Sequence, residues 1–379
     1  MKIKNNFEPY QLFFISGLVM SFLGVGLWTA FQFNLVESFP MSAHANLMIT
    51  GFLFAYIYGF LMTAVPKMSQ THEARKWEVF VGLAAVWLQG VLAYFAQPSI
   101  AYGVAIFQFL FLFFFIARRW RVKKANPPPG FVFVPIGLLV GLIGSVILLW
   151  PSSALSAETF LLGKNLFFQA FVLNLILGLG SRLIPALSRV QGAIDIRTAS
   201  NETMGFFFAL AVTLNLAFVI EAFVSSGLGN FIKFAVIAWM AVFKFKVYHP
   251  RSVKGNLGRG LRIAVHLMAL GFLLTSIFPM YSLHLMHITY IGGFALLTIL
   301  VSTRVVLSHG QHDMSLELVD RNLKWFMFVF LILAFYRASL AYSGSNRNLT
   351  LILLFAGWIV GCLIWSRSFF LKILYTNKT

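Results

Sequence analysis

Histidines are the residues of this sequence whose type and spacing best suit chemistry at a metal. Four of the eight lie in or at the start of long apolar stretches: His44, His266, His284 and His287. A neutral imidazole is a good ligand for copper, zinc or haem iron. His284 and His287 are three residues apart, so a helix would present both from one face. Because a membrane histidine can also serve as a hydrogen-bonded polar residue, the spacing alone leaves both roles open.

Other metal-binding side chains are scarce. Cys362 is the one cysteine, which excludes an internal disulfide, a thiolate cluster and a CxxCH haem-attachment site. No cluster of carboxylates suits calcium or magnesium. Met48 follows His44 by four residues and offers a thioether that copper accepts, although such a side chain can also serve packing alone.

The composition places these side chains in a membrane. Of the 379 residues, 59% are hydrophobic and 11% are charged, whereas soluble domains are about a quarter charged. The mean hydropathy is +0.84. No Walker-type phosphate loop occurs in the sequence, so an ATP-driven pump is not indicated. We therefore interpret the chain as an integral membrane protein.

Twelve apolar runs are long enough to cross a bilayer, which takes about 20 helical residues. They leave no stretch for a soluble domain, so the sequence predicts an all-α, polytopic membrane protein with one domain over residues 1–379. The predicted spans are Tyr10–Phe33, Ser42–Val65, Glu78–Phe95, Ser99–Ala117, Phe131–Trp150, Thr159–Leu183, Met204–Phe223, Gly229–Phe243, Leu261–Phe278, Leu283–Thr303, Trp325–Ala341 and Leu351–Trp365.

Basic residues collect in alternate loops of this topology. With a cytoplasmic start, nearly all of the net charge of +18 falls on the cytoplasmic side, as the positive-inside rule requires. The pattern predicts that both termini are cytoplasmic and that the loops meet anionic membrane lipid, and it gives no reason to invoke nucleic acid. The basic residues assigned to the outer side are Lys164, Lys233, Arg337 and Arg347.

The topology also sets the depth of the histidines. His44 begins the second predicted helix, and His284 and His287 begin the tenth, so all three are expected at the outer face. At 1.5 Å rise per residue, His266 lies roughly 18 Å from the outer end of the ninth helix. A compact outer site can therefore combine the first three more easily than it can include His266.

Three stretches resemble the NnrS family of bacterial membrane proteins. HANLMITGFLFAYIYGFLMTAVPK is similar to the family's HAHEMLFGF and GFLLTAVP motifs, GLGSRLIPALSR to its GGRVIP-type element, and HITYIGGFALLTILVSTRVVLSHG to its HALTVGAIG and TRVSLGHTG elements. AVHLMAL resembles the family's LHLGY histidine motif in the ninth helix. The matching residues are His44, Met48, Gly51, Phe52, Gly59, Thr63, Pro66, Arg182, Pro185, His266, His287, Arg304, Leu307 and His309.

The resemblance implies a twelve-helix protein of the bacterial inner (cytoplasmic) membrane that binds haem and copper and is linked to nitric oxide metabolism or nitrosative-stress defence. It also implies a distant similarity in plan to haem–copper oxidase core subunits, which use six intramembrane histidines. Four such histidines limit this chain to one haem with one copper, or one haem with two axial imidazoles. Asn46 and Leu47 replace the family's second histidine and its glutamate, which bears on the copper site or a proton step.

Together, the residues and the resemblance predict a haem b near the outer face with His44 and His287 as its axial ligands. His266 is a further cofactor-binding candidate. Copper, if it is bound, would take His284 with His266 or Met48, so the whole predicted metal site draws on His44, His284, His287 and Met48.

Two other function classes stay open. A secondary transporter is one, because twelve spans with a cytoplasmic central loop also suit that plan. Its polar pathway would use Lys164, Asn165, Gln169, Asn174, Asn215 and Glu221. An assembly or scaffold protein for a respiratory complex is the other. The sequence does not decide whether the protein is an enzyme; a redox enzyme acting on nitric oxide or a related nitrogen oxide would need a respiratory electron donor as partner.

Overall fold

The fold is a bundle of long helices. The computed structural model describes residues 7–95, 98–191, 201–342 and 347–375. In these ranges the chain is helical apart from its connections, and the β-type pairing is an isolated bridge between Val190 and Arg251. The predicted all-α class is therefore confirmed. Gln97, which lies between the third and fourth predicted spans, is outside the described residues, as is the side chain of Arg347.

Twelve helices are long and apolar enough to cross a membrane, as the sequence predicts. They make this a multi-pass membrane protein. In chain order they are α1 Pro9–Gln32, α2 Met41–Ser69, α3 Lys76–Tyr94, α4 Ser99–Arg121, α5 Pro129–Leu149, α6 Ala157–Leu187, α7 Thr203–Phe223, α8 Ser226–Lys244, α9 Asn256–Ile277, α10 Pro279–His309, α11 Arg321–Ser339 and α12 Asn348–Leu374.

Three of these helices are the longest of the twelve. α2 has 29 residues, and α6 and α10 have 31 each. Each contains a π-helical segment after its first turns: Leu47–Leu53 in α2, Leu166–Ala170 in α6 and Ile288–Ala295 in α10. A π segment takes an i→i+5 hydrogen-bond pattern and inserts extra residues into a helix, and such segments are often found at functional sites.

The helix contacts repeat every four helices. Within the sets α1–α4, α5–α8 and α9–α12, each helix packs on the next, and the second helix of a set also packs on the fourth. The sets are joined where α4 meets α5, α8 meets α9, and α12 returns to α1. A transporter built from two halves would repeat every six helices instead, so this arrangement gives no support to that alternative.

The second helix of each set lies in the interior. In α2, α6 and α10, between 72% and 78% of the residues in the most apolar 18-residue stretch are buried. In each of the other nine helices, half or fewer are buried. We call these three the interior helices. Phe54 of α2 packs against Phe171 of α6, with ring centroids 5.4 Å apart. An apolar cavity of about 80 Å³ lies between the three helices, with Tyr56, Leu175 and Leu297 among its lining residues.

Both ends of the described chain lie at one end of the bundle. Gln11 Nε2 at the start of α1 donates to the Ile373 carbonyl at the end of α12, at 2.6 Å. His309 Nδ1 at the end of α10 lies 2.9 Å from a carboxylate oxygen of Glu8. We call this the terminal end, and the opposite one, which holds the first turn of α2, the histidine end. The terminal end is predicted to be cytoplasmic.

Ion pairs fasten the terminal end. Arg119 of α4 is fully buried; its guanidinium donates to both Glu78 carboxylate oxygens, at 3.2 and 2.9 Å, and lies over the Phe115 ring. Glu317, in the connection before α11, accepts from Arg189 at 2.6 Å and from Arg304 at 2.8 Å. Glu78 and Glu317 are therefore already bound to arginines.

Candidate metal centre

His44 is held by the neighbouring helix α1. Its Nδ1 lies 2.8 Å from the backbone carbonyl of Gly24, and its ring meets the edge of Trp28 at a centroid distance of 5.9 Å. The side chain is half-buried in the first turn of α2, one turn before the π segment begins. Two groups of α1 thus fix both the rotation and the position of this imidazole.

His287 occupies the corresponding place in α10. Its Nδ1 lies 2.8 Å from the carbonyl of Leu283, one turn earlier, and its ring meets Tyr290 edge-on at 5.7 Å. His287 is half-buried and is the last residue before the π segment Ile288–Ala295. The two interior helices α2 and α10, which also contact each other, therefore each present one imidazole at the histidine end.

The hydrogen bonds assign the same tautomer to both imidazoles. A carbonyl oxygen can only accept, so Nδ1 of His44 and of His287 must carry the proton. In the neutral ring the lone pair then lies on Nε2. This is the arrangement that metal-ligating histidines commonly show, because the second nitrogen is anchored to a carbonyl or carboxylate. Both residues are thus prepared to ligate a metal through Nε2.

The structure brings the predicted outer histidines into one cluster. His287 lies within electrostatic range of His44, His284 and Arg337. Arg337 also lies within electrostatic range of His44. These four residues lie on three helices: α2, α10 and the end of α11. We call His44, His284, His287 and Arg337 the histidine cluster.

His284 differs from the other two in its hydrogen bonding. Arg337 Nη1 donates to its Nδ1 at 2.8 Å, so this nitrogen cannot carry a proton. In the neutral ring the proton then lies on Nε2, where it blocks metal ligation from that side. In this arrangement His284 positions Arg337 rather than serving as a ligand.

Met48 faces helix α1. A Cβ built on Gly24 would lie 2.8 Å from the Met48 sulfur and 3.2 Å from the Leu47 Cβ, so α1 and α2 approach this closely only because residue 24 has no side chain. The thioether therefore packs in the α1–α2 contact, below the carbonyl that anchors His44.

Replacing Gly24 by alanine is expected to loosen the anchor of His44. The added methyl group would overlap the Met48 sulfur and crowd the Leu47 Cβ, so the α1–α2 contact must shift next to the Gly24 carbonyl that holds His44. Loss of such an outer-shell contact typically lowers metal affinity about 10- to 100-fold. Haem retained per purified chain, measured after equal washing, checks this. Gly103→Ala is the matched control, since a Cβ at Gly103 meets nothing within 4 Å; an equal loss in both variants would contradict the prediction.

His266 is not brought to the histidine cluster. Its Nδ1 lies 2.6 Å from the Arg262 carbonyl, and its Nε2 lies 2.9 Å from the Tyr248 hydroxyl. Tyr248 belongs to the connection between α8 and α9 at the terminal end, and the His266 side chain is exposed. The structure thus separates His266 from the other three predicted histidines, as the depth calculated from the sequence indicates.

The donor set at the histidine end is of the type that could hold one haem iron. Two neutral imidazoles from two helices, each with its Nε2 lone pair available, are the axial pair that a bis-histidine haem requires. In the part of the chain described, no three His, Cys, Asp or Glu side chains converge as a metal-binding group. To bind copper, Met48 and His284 would therefore have to leave the contacts that they make in this structure.

Five of the six polar residues of the transporter alternative are bound to other side chains. Asn174 and Asn215 exchange side-chain hydrogen bonds between α6 and α7, at 3.0 and 3.1 Å. Gln169 donates to Asn165 within α6 at 3.2 Å. Glu221 pairs with Lys233 of α8. These contacts tie α6, α7 and α8 together.

Gly24, Trp28, Arg337 and Tyr290 complete the centre, and the sequence reasoning did not assign them to it. Arg337 was placed correctly at the end that holds the histidines, but only as one of four outer basic residues. Gly17 and Gly24, seven residues apart on one face of α1 and both against α2, were the available signal for a close helix contact. That the Gly24 carbonyl would accept from His44 depends on the packing of α1 against α2, which no local pattern encodes.

Comparison with known proteins gives one family match. The family model described as NnrS protein matches residues 7–377, which is nearly the whole chain. No curated protein matches the sequence.

Proposed function

The chain belongs to the NnrS protein family, and from this premise we propose that it is a haem b protein of nitric oxide metabolism or nitrosative-stress defence. Family membership suggests a membrane protein related to nitric oxide. The observation that carries the haem assignment is the pair of imidazoles at the histidine end, His44 and His287, whose Nδ1 protons are both bound to carbonyls. The haem would be held between α2 and α10.

The residues of the chain have distinct tasks in this proposal. His44 and His287 would hold the haem iron through Nε2, and the carbonyls of Gly24 and Leu283 keep both rings in the tautomer that ligation needs. Arg337, oriented by His284, places a positive charge beside both ligands, which favours an added negative charge at the centre. A bound haem would supply one-electron redox chemistry, and nitric oxide would bind its iron in place of one of the two imidazoles. A respiratory electron donor would reduce it.

We propose the bacterial inner membrane as its location, with the terminal end in the cytoplasm. The basic loops support this orientation through the positive-inside rule. The histidine cluster would then lie at the outer face. The distant similarity in plan to haem–copper oxidase core subunits stays a prediction. Copper also stays a prediction, with His284 and Met48 as ligands after they leave their present contacts.

A nitric oxide titration of the purified protein tests the functional part. The expected result is a haem absorption band in the reduced protein that shifts when nitric oxide is added, together with about one iron per chain. Metal analysis of the same sample separates iron from copper. A protein that retains haem but whose spectrum does not respond to nitric oxide would contradict the nitric oxide assignment and leave the haem assignment standing.

A further inference from the structure

Three arginines lie together at the terminal end, far from the histidine cluster. Arg259 and Arg262 are three residues apart in the first two turns of α9, so they share a face of that helix. Arg251 precedes α9 in the connection from α8 and lies within electrostatic range of both. We call Arg251, Arg259 and Arg262 the arginine cluster.

The backbone around Arg251 is fixed. Arg251 forms the isolated antiparallel bridge with Val190, which follows α6. Ser252 N donates to the Arg189 carbonyl at 2.7 Å on the same connection. The guanidinium of Arg262 is anchored from the other side, because its Nη2 donates to the His249 carbonyl at 2.9 Å. Two connections, α6–α7 and α8–α9, therefore meet at the cluster and hold it in place.

Two guanidinium donors of the cluster are buried without a hydrogen-bond partner. These are Nη1 of Arg251 and Nε of Arg262. A buried N–H that finds no acceptor costs about 1–3 kcal/mol, and more for a charged group, so native proteins rarely keep one without a ligand or ion. Burial and the nearby Arg259 lower the pKa of Arg251 from its ordinary value, as expected for cations crowded together.

The nearby carboxylates do not neutralise these charges. Glu317, whose short helix Leu316–Val319 packs on α9, is already shared by Arg189 and Arg304. Over the described ranges, the ion pairs include no acidic side chain bound to Arg251, Arg259 or Arg262. The cluster thus combines three positive charges with two oriented, unused donors.

We propose that Arg251, Arg259 and Arg262 form a binding site for a phosphate group at the terminal end. The guanidinium fork matches the oxygens of a phosphate and can donate to two of them at once. Basic pockets at the ends of membrane helices bind phospholipid headgroups in this way, and inorganic phosphate offers the same oxygens. The inference does not depend on haem or on nitric oxide.

Thermal unfolding of the purified full chain in phosphatidylcholine nanodiscs tests the site. One arm replaces part of the lipid with phosphatidylglycerol, and the other adds inorganic phosphate at constant ionic strength. A ligand that binds only the folded state raises the unfolding midpoint, so the wild type should gain several degrees in at least one arm. The arm that responds identifies the source of the phosphate group.

Variants connect the response to the arginine cluster. Arg251→Gln with Arg262→Gln should lose the rise, and native mass spectrometry should show about ten- to a hundredfold weaker retention of the ligand. Arg321→Gln, which removes an exposed arginine at the start of α11, should keep both. Arg262→Lys preserves the charge and removes the forked donor. This variant should fold, but it should bind the phosphate ligand more weakly than the wild type does. Equal responses in wild type and double variant, or no response of the wild type in either arm, would overturn the proposal.

Discussion

Replacing His287 by alanine is expected to remove essentially all bound haem, whereas replacing His284 by alanine should leave most of it. The two residues lie one turn apart on α10, yet only His287 has its proton on Nδ1 and its Nε2 lone pair available. Loss of an axial imidazole would remove an iron ligand, while loss of His284 disturbs the orientation of Arg337 and leaves both imidazoles in place. Absorption spectra of the two variants, normalised to protein, measure the difference.

His44→Ala should behave like His287→Ala, and the double variant should be no worse than either single one once haem is lost. The unfolding midpoint of haem-free samples serves as the control, since a variant that simply fails to fold would lower it. Equal haem content in the His284 and His287 variants would show that the hydrogen-bond pattern does not select the ligand.

Lys233→Met is expected to destabilise the protein by about 3–5 kcal/mol, because it leaves a charged Glu221 without its partner inside the bundle. Lys233 is fully buried in α8, binds Glu221 of α7, and donates a hydrogen bond to the Asn230 amide oxygen at 3.2 Å. Its ammonium lies 3.9 Å from the centroid of the Phe218 ring. The unfolding midpoint in detergent measures the loss.

Adding Glu221→Gln to Lys233→Met should restore most of that stability, because both charges are then gone. Lys324→Met is the matched control: Lys324 is exposed near the start of α11, and its replacement should change stability by no more than about 0.5 kcal/mol. If the double variant were as unstable as the single one, the pair would owe its effect to packing and not to charge.

The number and order of the helices could be predicted from the sequence because a membrane span is defined by length and apolarity alone. The ends of the interior helices could be predicted less well. Predicted spans such as Ser42–Val65 are shorter than the observed Met41–Ser69, since a window of about 20 residues stops before polar residues that the interior of the bundle accommodates. The π segments change the hydrogen-bond pattern without a compositional signature.

Some features of the candidate site could also be predicted from the sequence, and others could not. The common depth of His44, His284 and His287 followed from counting residues along each helix, and so did the separation of His266. What distinguishes His287 from His284 is a hydrogen bond from Arg337, a residue 53 positions later in the chain. Lys233 was predicted only as a basic residue of the outer side and Glu221 as part of a transporter pathway, and their pairing depends on the packing of α7 on α8. Such contacts are tertiary, and one sequence does not specify them.

Electron paramagnetic resonance of the oxidised, purified wild-type protein tests the central claim most directly. If His44 and His287 are both axial ligands, the ferric haem has two strong nitrogen donors, and the spectrum should be that of a low-spin, bis-imidazole haem. The low-spin signal should disappear in His44→Ala and in His287→Ala. A wild-type spectrum that is high-spin, or a preparation without haem iron, would contradict the account.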